Sequence, residues 1–154
     1  MQKKKFIFIL LIFLSSCGYE AIHSKKNISN YSFSIIKLNF NGDREVNLRI
    51  KAKLNNYTLI KRDKEFILNI SSTSERVITV KDASGNATAY KNIITIAIDV
   101  LNNGKLKNSF AIVENFNYNN NSNNFDLKKF EREIKNNLSE VVADKIVLKL
   151  SNMQ

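Results

Sequence analysis

Reactive side chains are scarce in this chain, which holds one cysteine, Cys17, and one histidine, His23. A serine or cysteine nucleophile needs a base within hydrogen-bond reach. His23 follows Cys17 by six residues in a polar stretch, with no second imidazole or thiol to complete a metal set. It reads as a solvated linker residue. The serines are numerous but have no histidine beside them in the rest of the chain. Glu140 and Asp144 stand one helical turn apart. They read either as an acid–base pair or cation site, or as a solvated helix face. Four glycines in all leave no phosphate-cradling loop. The sequence therefore offers no catalytic constellation, no metal site and no cofactor site.

Cys17 has a different chemistry open to it. Lys3, Lys4 and Lys5 precede an unbroken apolar run, Phe6–Leu14, and then Ser15 and Ser16. That order is a charged n-region, an h-region and a small-residue cleavage site. Nine apolar residues fall well short of the roughly 20 that a helix needs to span a bilayer. Leu14-Ser15-Ser16-Cys17 resembles the lipobox cut by lipoprotein signal peptidase. The resemblance implies cleavage before Cys17, a diacylglyceryl thioether on its sulfur and further acylation, palmitate among the chains. Each buried CH₂ adds about 0.8 kcal/mol, so several chains make a stable anchor. Gly18 stands where an aspartate would imply inner-membrane retention, which implies sorting to the outer membrane, on its periplasmic side. With Cys17 modified, no thiol remains for a disulfide.

Removing the first 16 of 154 residues leaves 138, enough for one domain with a core. The expected organisation is a signal peptide over 1–16, an acylated tether over 17–30 and a single domain over 31–154. The formal charge of +10 falls to +7 when Lys3, Lys4 and Lys5 leave. A basic surface suits anionic lipid, nucleic acid or an acidic partner; export argues against nucleic acid. Seven of the cations lie between Arg44 and Glu65, against three acids. Lys61, Arg62 and Lys64 are candidates to bind lipid phosphates through charge-assisted hydrogen bonds. A solvated basic face is the alternative.

These residues must be positioned by regular elements. Phe33, Ile35, Ile36, Leu38 and Phe40 predict a strand buried on both faces. Asn41-Gly42-Asp43 breaks it, and Asp43 is placed to cap a helix. From Val46 to Leu54 the pattern is double. Val46, Leu48, Ile50, Ala52 and Leu54 alternate as in a strand, while Val46, Ile50, Leu54, Tyr57 and Ile60 share a helical face. Phe66, Leu68 and Ile70 begin one long irregular strand or two short ones ending near Val80, and Asp82–Gly85 makes a turn. Tyr90, Ile94, Ile96, Ile98 and Val100 then share a strand face. Asn103-Gly104 predicts a tight hairpin turn, with Leu106, Phe110, Ile112, Phe116 and Tyr118 returning. The opposite face of this hairpin is read as Lys91, Ile93, Thr95, Ala97 and Asp99 with Lys107, Ser109, Ala111, Val113 and Asn115. It is half polar and rich in small residues. Asn115–Asn124 predicts a polar loop. Asp126 opens a helix striped by Leu127, Phe130, Ile134, Leu138, Val141, Val142 and Leu148, with Glu131 and Lys135 paired on its polar side. Val147 and Leu150 fall off that stripe, so the last turn is expected to be buried more widely.

In order and spacing, these features resemble the lipopolysaccharide-assembly lipoprotein family LptE. The carrying residues are Cys17-Gly18-Tyr19, Gly42-Asp43-Arg44-Glu45-Val46-Asn47-Leu48 after the first strand, and Phe116-Asn117-Tyr118-Asn119 closing three strands. Val142-Ala143-Asp144-Lys145-Ile146-Val147-Leu148-Lys149-Leu150 ends the last helix. No proline follows Cys17-Gly18-Tyr19, which is a departure from the family pattern. The resemblance implies an α+β fold, strand-helix-strand-strand-strand-helix, in which a mixed four-stranded sheet is covered on one face by two helices. It makes Val46–Leu54 a helix, and the first two strands parallel through a right-handed crossover. It also implies a place inside the β-barrel LptD, and a role in carrying lipopolysaccharide into the outer leaflet. A periplasmic accessory lipoprotein of a lipid ABC transporter is the alternative function.

Overall fold

The computed structural model describes residues 32–59 and 61–153. Cys17 and His23, with the expected signal peptide and tether, lie outside the described residues. The elements run β1 (Phe33–Gly42), α1 (Arg44–Leu54), a 3-10 turn (Asn55–Tyr57), β2 (Lys64–Lys81), β3 (Ala87–Asn102), β4 (Lys105–Asn119) and α2 (Asn124–Ser151). The sheet order is β1-β2-β3-β4, with β1 parallel to β2 and the other pairs antiparallel. This is the expected mixed four-stranded sheet with two helices.

The β1–α1 joint settles the ambiguous segment as helix. Asp43 Oδ1 accepts the N–H groups of Glu45 and Val46 at 3.0 and 3.1 Å, satisfying two donors that the first helical turn leaves orphaned. Val46, Ile50 and Leu54 are fully buried, whereas Leu48 is 54% exposed and Ala52 is exposed too. The helical period wins because alternation would have buried those two. Gly42 turns the chain into the helix at φ +95°. A Cβ there would stand 1.9 Å from the Ser72 carbonyl oxygen, which accepts the Asp43 N–H at 3.1 Å. Ser72, buried, also bonds the Asn47 side chain at 2.8 Å.

The core is one apolar layer between sheet and helices. Phe66, Leu68 and Ile70 of β2 and Ile94, Ile96, Ile98 and Val100 of β3 are buried, as the alternation predicts. The β2 segment is a single strand of 18 residues. Asn103 and Gly104 have φ +49° and +75° between the paired Asn102 and Lys105, the two-residue turn whose twist suits a hairpin.

Five patterns depart from the sequence reading. β1 is an edge strand, and a bulge between Ile35 and Lys37 shifts its phase. Leu38 and Phe40 therefore join the same side as Ile35, while Ile36 is left 58% exposed. A second bulge, where Val100 pairs with Asn108 but Leu101 with Leu106, turns Leu106 outward and brings Lys107 over the Phe66 ring. The Asn-rich stretch is mostly structured, since Asn115–Asn119 finish β4 and Asn123 caps α2. In α2 the C-terminal burial widens to Ile146, Val147 and Leu150 as expected, but Phe130, Val141 and Leu148 of the expected stripe are exposed. Glu131 and Lys135 do not pair. Glu131 takes Arg76 at 3.0 Å and the Tyr118 hydroxyl at 2.7 Å, and Lys135 reaches Asp43 at 3.0 Å and Glu45 at 3.2 Å.

Candidate interaction surface

Both helices sit on the side of the sheet that holds the buried residues, so the other side of β2, β3 and β4 has no helix against it among the described residues. Strand register arranges that outer face in rows. Asn39, Asn69, Asp99 and Ser109 form a polar row, stitched by hydrogen bonds from Asn39 to Asn69 at 2.8 Å and from Ser109 to Asp99 at 2.7 Å. The next row is Asn41, Ser71, Ala97 and Ala111, and beyond it lie Thr73, Thr95 and Val113. On the other side of the polar row, the β4 bulge completes an apolar row of Ile67, Leu101 and Leu106, with Leu106 63% exposed. Side chains this short leave the backbone close to the surface, so a wall of another protein can approach it closely. The face predicted from the sequence is present, with Leu106 in place of Lys107.

The three predicted cations do not form one cluster of free charges. Lys61 is 87% exposed and 3.7 Å from Glu65. The Arg62 N–H donates to Ser34 Oγ at 3.3 Å, and its residue is half-buried. Lys64 donates to the Met153 carbonyl at 3.2 Å, at the C-terminal end of α2, where the helix dipole favours a cation. Of the two carboxylates raised as an acid–base pair, Asp144 pairs with Lys53 at 2.7 Å. No three metal-binding side chains gather among the described residues, and no described helix is long and apolar enough to cross a membrane.

Several charges on the helix side are paired with neighbouring elements. Burial raises the Asp43 carboxyl, but hydrogen bonds from Val46 N–H and Lys135, with the ammonium charge itself, hold it below the usual carboxylate value. Burial pulls Lys135 down, and Asp43 and Glu45 together push it above its ordinary value. Burial and the bond to Glu131 raise the Tyr118 phenol. Lys145 pairs with Glu114 of β4. These contacts weld α2 to α1, β2 and β4, which keeps the outer face planted on a rigid back. Sequence periodicity could not find them, because they join residues that lie far apart in the chain.

Two clefts flank the helices. One, about 160 Å³, lies between β4 and α2 and is lined by Phe116, Phe130, Ile134 and Leu138. The other, about 410 Å³, lies where β1 meets α1, with Phe40 and Leu48 beside Arg44, Asn47 and Lys51.

No family model matches the sequence, and no curated protein does. Solved structures do match. Rare lipoprotein B from Shewanella oneidensis superposes with a TM-score of 0.57 at 20% identity, over 75% of this chain and 93% of that one. A minor lipoprotein from Acinetobacter baumannii gives 0.56 at 14%, over 75% and 90%. Lipoprotein B from Nitrosomonas europaea gives 0.55 at 12%, over 79% and 86%. At these identities the likeness is one of fold: this chain is built like several bacterial lipoproteins.

Proposed function

We propose that this chain is an outer-membrane lipoprotein of the LptE kind, anchored through Cys17, that seats its outer sheet face inside the barrel LptD and supports lipopolysaccharide insertion. The observation that carries the reading is the uncovered sheet face, with its polar row, its row of small side chains and its exposed Leu106. The lumen of an outer-membrane barrel is polar. A surface of short polar and apolar side chains fits such a wall better than it fits lipid. The fold shared with rare lipoprotein B supports the lipoprotein part of this reading. A lipid tether would hold the domain near its barrel at high effective concentration. Burial there would stabilise a domain that has no disulfide, by mass action. Lys61, Arg62 and Lys64 are proposed as contacts for lipopolysaccharide phosphates, with Lys61 the most accessible of the three.

The test is co-purification from membranes in mild detergent. The wild-type chain should emerge with about one equivalent of a large β-barrel, and Ala97→Glu with Ala111→Glu should lose it while keeping a native circular dichroism spectrum. Those two alanines face each other across β3 and β4, so the pair puts two carboxylates at the centre of the face. Recovery of the wild type as a free monomer, with normal surface lipopolysaccharide after depletion, would overturn the reading in favour of the transporter accessory role.

A further inference from the structure

The cleft between β1 and α1 combines three features that the barrel reading does not use. First, β1 is the edge of the sheet and has a strand on one side only among the described residues. Such an edge presents alternate N–H and C=O groups to any chain laid beside it. The bulge at Ile36 spoils the first part of that edge, which leaves Lys37–Phe40 regular. Second, the cleft has an apolar floor, because the bulge brings half-buried Phe40 to the helix side, opposite exposed Leu48. Third, it is positively charged. Arg44, Leu48 and Lys51 lie at i, i+4 and i+7 on α1, one stripe facing the cleft. The acids that would neutralise them are already engaged: Asp43 caps the helix and binds Lys135, and Glu45 binds Lys135 as well.

We propose that this cleft docks an extended, acidic segment of a partner protein, added as a fifth strand along β1 with its acidic side chains on Arg44 and Lys51 and an apolar one between Phe40 and Leu48. Backbone pairing on a sheet edge supplies affinity, and alternate side chains supply specificity. A lipid lacks the amide groups that the edge offers. The chain's own residues 18–31 carry one acid, Glu20, against Lys25 and Lys26, which suits a basic cleft poorly. A second copy would bring cation against cation. The proposal stands independently of which barrel or complex the outer face meets.

The full chain, ¹⁵N-labelled in a zwitterionic detergent, is titrated with a blocked nine-residue peptide, Thr-Val-Thr-Asp-Thr-Val-Thr-Asp-Thr, and with its twin carrying Lys for Asp. The acidic peptide should shift amides confined to 37–41 and 44–51 and slow hydrogen exchange in 37–40, with the lysine twin at least tenfold weaker. Arg44→Glu with Lys51→Glu, both exposed positions, should reverse the preference. Equal binding of the two peptides, no shifts at millimolar peptide, or shifts along β4 instead would overturn the proposal. Displacement of the peptide by phosphatidylglycerol vesicles that move the same amides would overturn it in favour of a lipid occupant.

Discussion

Replacing Gly42 with alanine loads the joint that holds α1 to the sheet. Its φ of +95° is a region that costs an L-residue about 1–3 kcal/mol. The new methyl would also sit 1.9 Å from the Ser72 carbonyl oxygen. That oxygen is backbone in a parallel ladder and cannot swing aside, so β1 must lift from β2. Lifting it loses the Asp43 N–H bond to Ser72, worth about 1 kcal/mol. The sum is about 3 kcal/mol. A domain of this size loses roughly 3–4 °C per kcal/mol, so thermal unfolding followed by circular dichroism should shift down by about 10 °C. Gly104→Ala is the internal control. Its φ of +75° is similarly strained, but nothing lies within 4 Å of the added atom, so it should lose about 1 kcal/mol. If the two substitutions shift the melting temperature equally, the close approach to Ser72 carries no energy and the reasoning fails.

Asp43→Ala should cost about 1–2 kcal/mol through the lost helix cap, and Asp43→Asn, which keeps a capping oxygen, should cost less; chemical denaturation at pH 7 separates them. Because the Asp43 carboxyl is held below its unfolded value, its stabilisation is present above about pH 4 and fades as pH falls through the folded value. The acid limb of a stability–pH curve should therefore flatten in Asp43→Asn. The Tyr118 phenol is raised, so its contribution is intact below about pH 10 and is lost as pH rises further. Tyr118→Phe should cost about 1 kcal/mol at neutral pH and lessen the alkaline loss, read by urea midpoints at pH 8 and pH 11. Leu106→Lys, on the outer face, should leave unfolding within about 0.5 kcal/mol of wild type but weaken co-purification of the proposed barrel partner; an unchanged yield would place Leu106 outside the proposed contact.

Where one physical rule acted alone, the sequence was readable. Ile94, Ile96, Ile98 and Val100 alternate into the core without interruption, and Asn103-Gly104 announces its own turn. Asp43 could be seen as a cap from its place after Asn41-Gly42. The helix over 44–54 was not decidable from periodicity, because Leu48 and Ala52 satisfy the strand pattern while lying exposed on α1. There the family resemblance made the choice and the structure agrees. Both bulges escaped because an inserted residue leaves no mark in composition. Ile36 is as apolar as Ile35 before it, and Lys107 is as polar as Asn108 after it. The outer face was legible as a half-polar row of small residues. The cleft at Arg44, Leu48 and Lys51 was not, since it depends on Phe40 being re-phased by the bulge and on Lys135, far along the chain, occupying the local acids.

The Lys64–Met153 contact brings the two ends of the described domain close together. Phe33 pairs with Lys64, and Lys64 bonds the Met153 carbonyl, so entry and exit of the described domain lie one strand spacing and one lysine side chain apart, on the order of 10 Å. The turn at Asp82–Gly85 stands at the other end of β2, which at about 3.2 Å per residue spans roughly 55 Å over its 18 residues. Such a chain is suited to circular permutation. A short Gly/Ser linker could join 153 to 33, with new ends opened between Ser84 and Gly85, leaving every core strand intact. If the proposed function holds, a permutant that carries the acylated cysteine on its new N-terminus would show, through lipopolysaccharide export, whether the domain works only one way up.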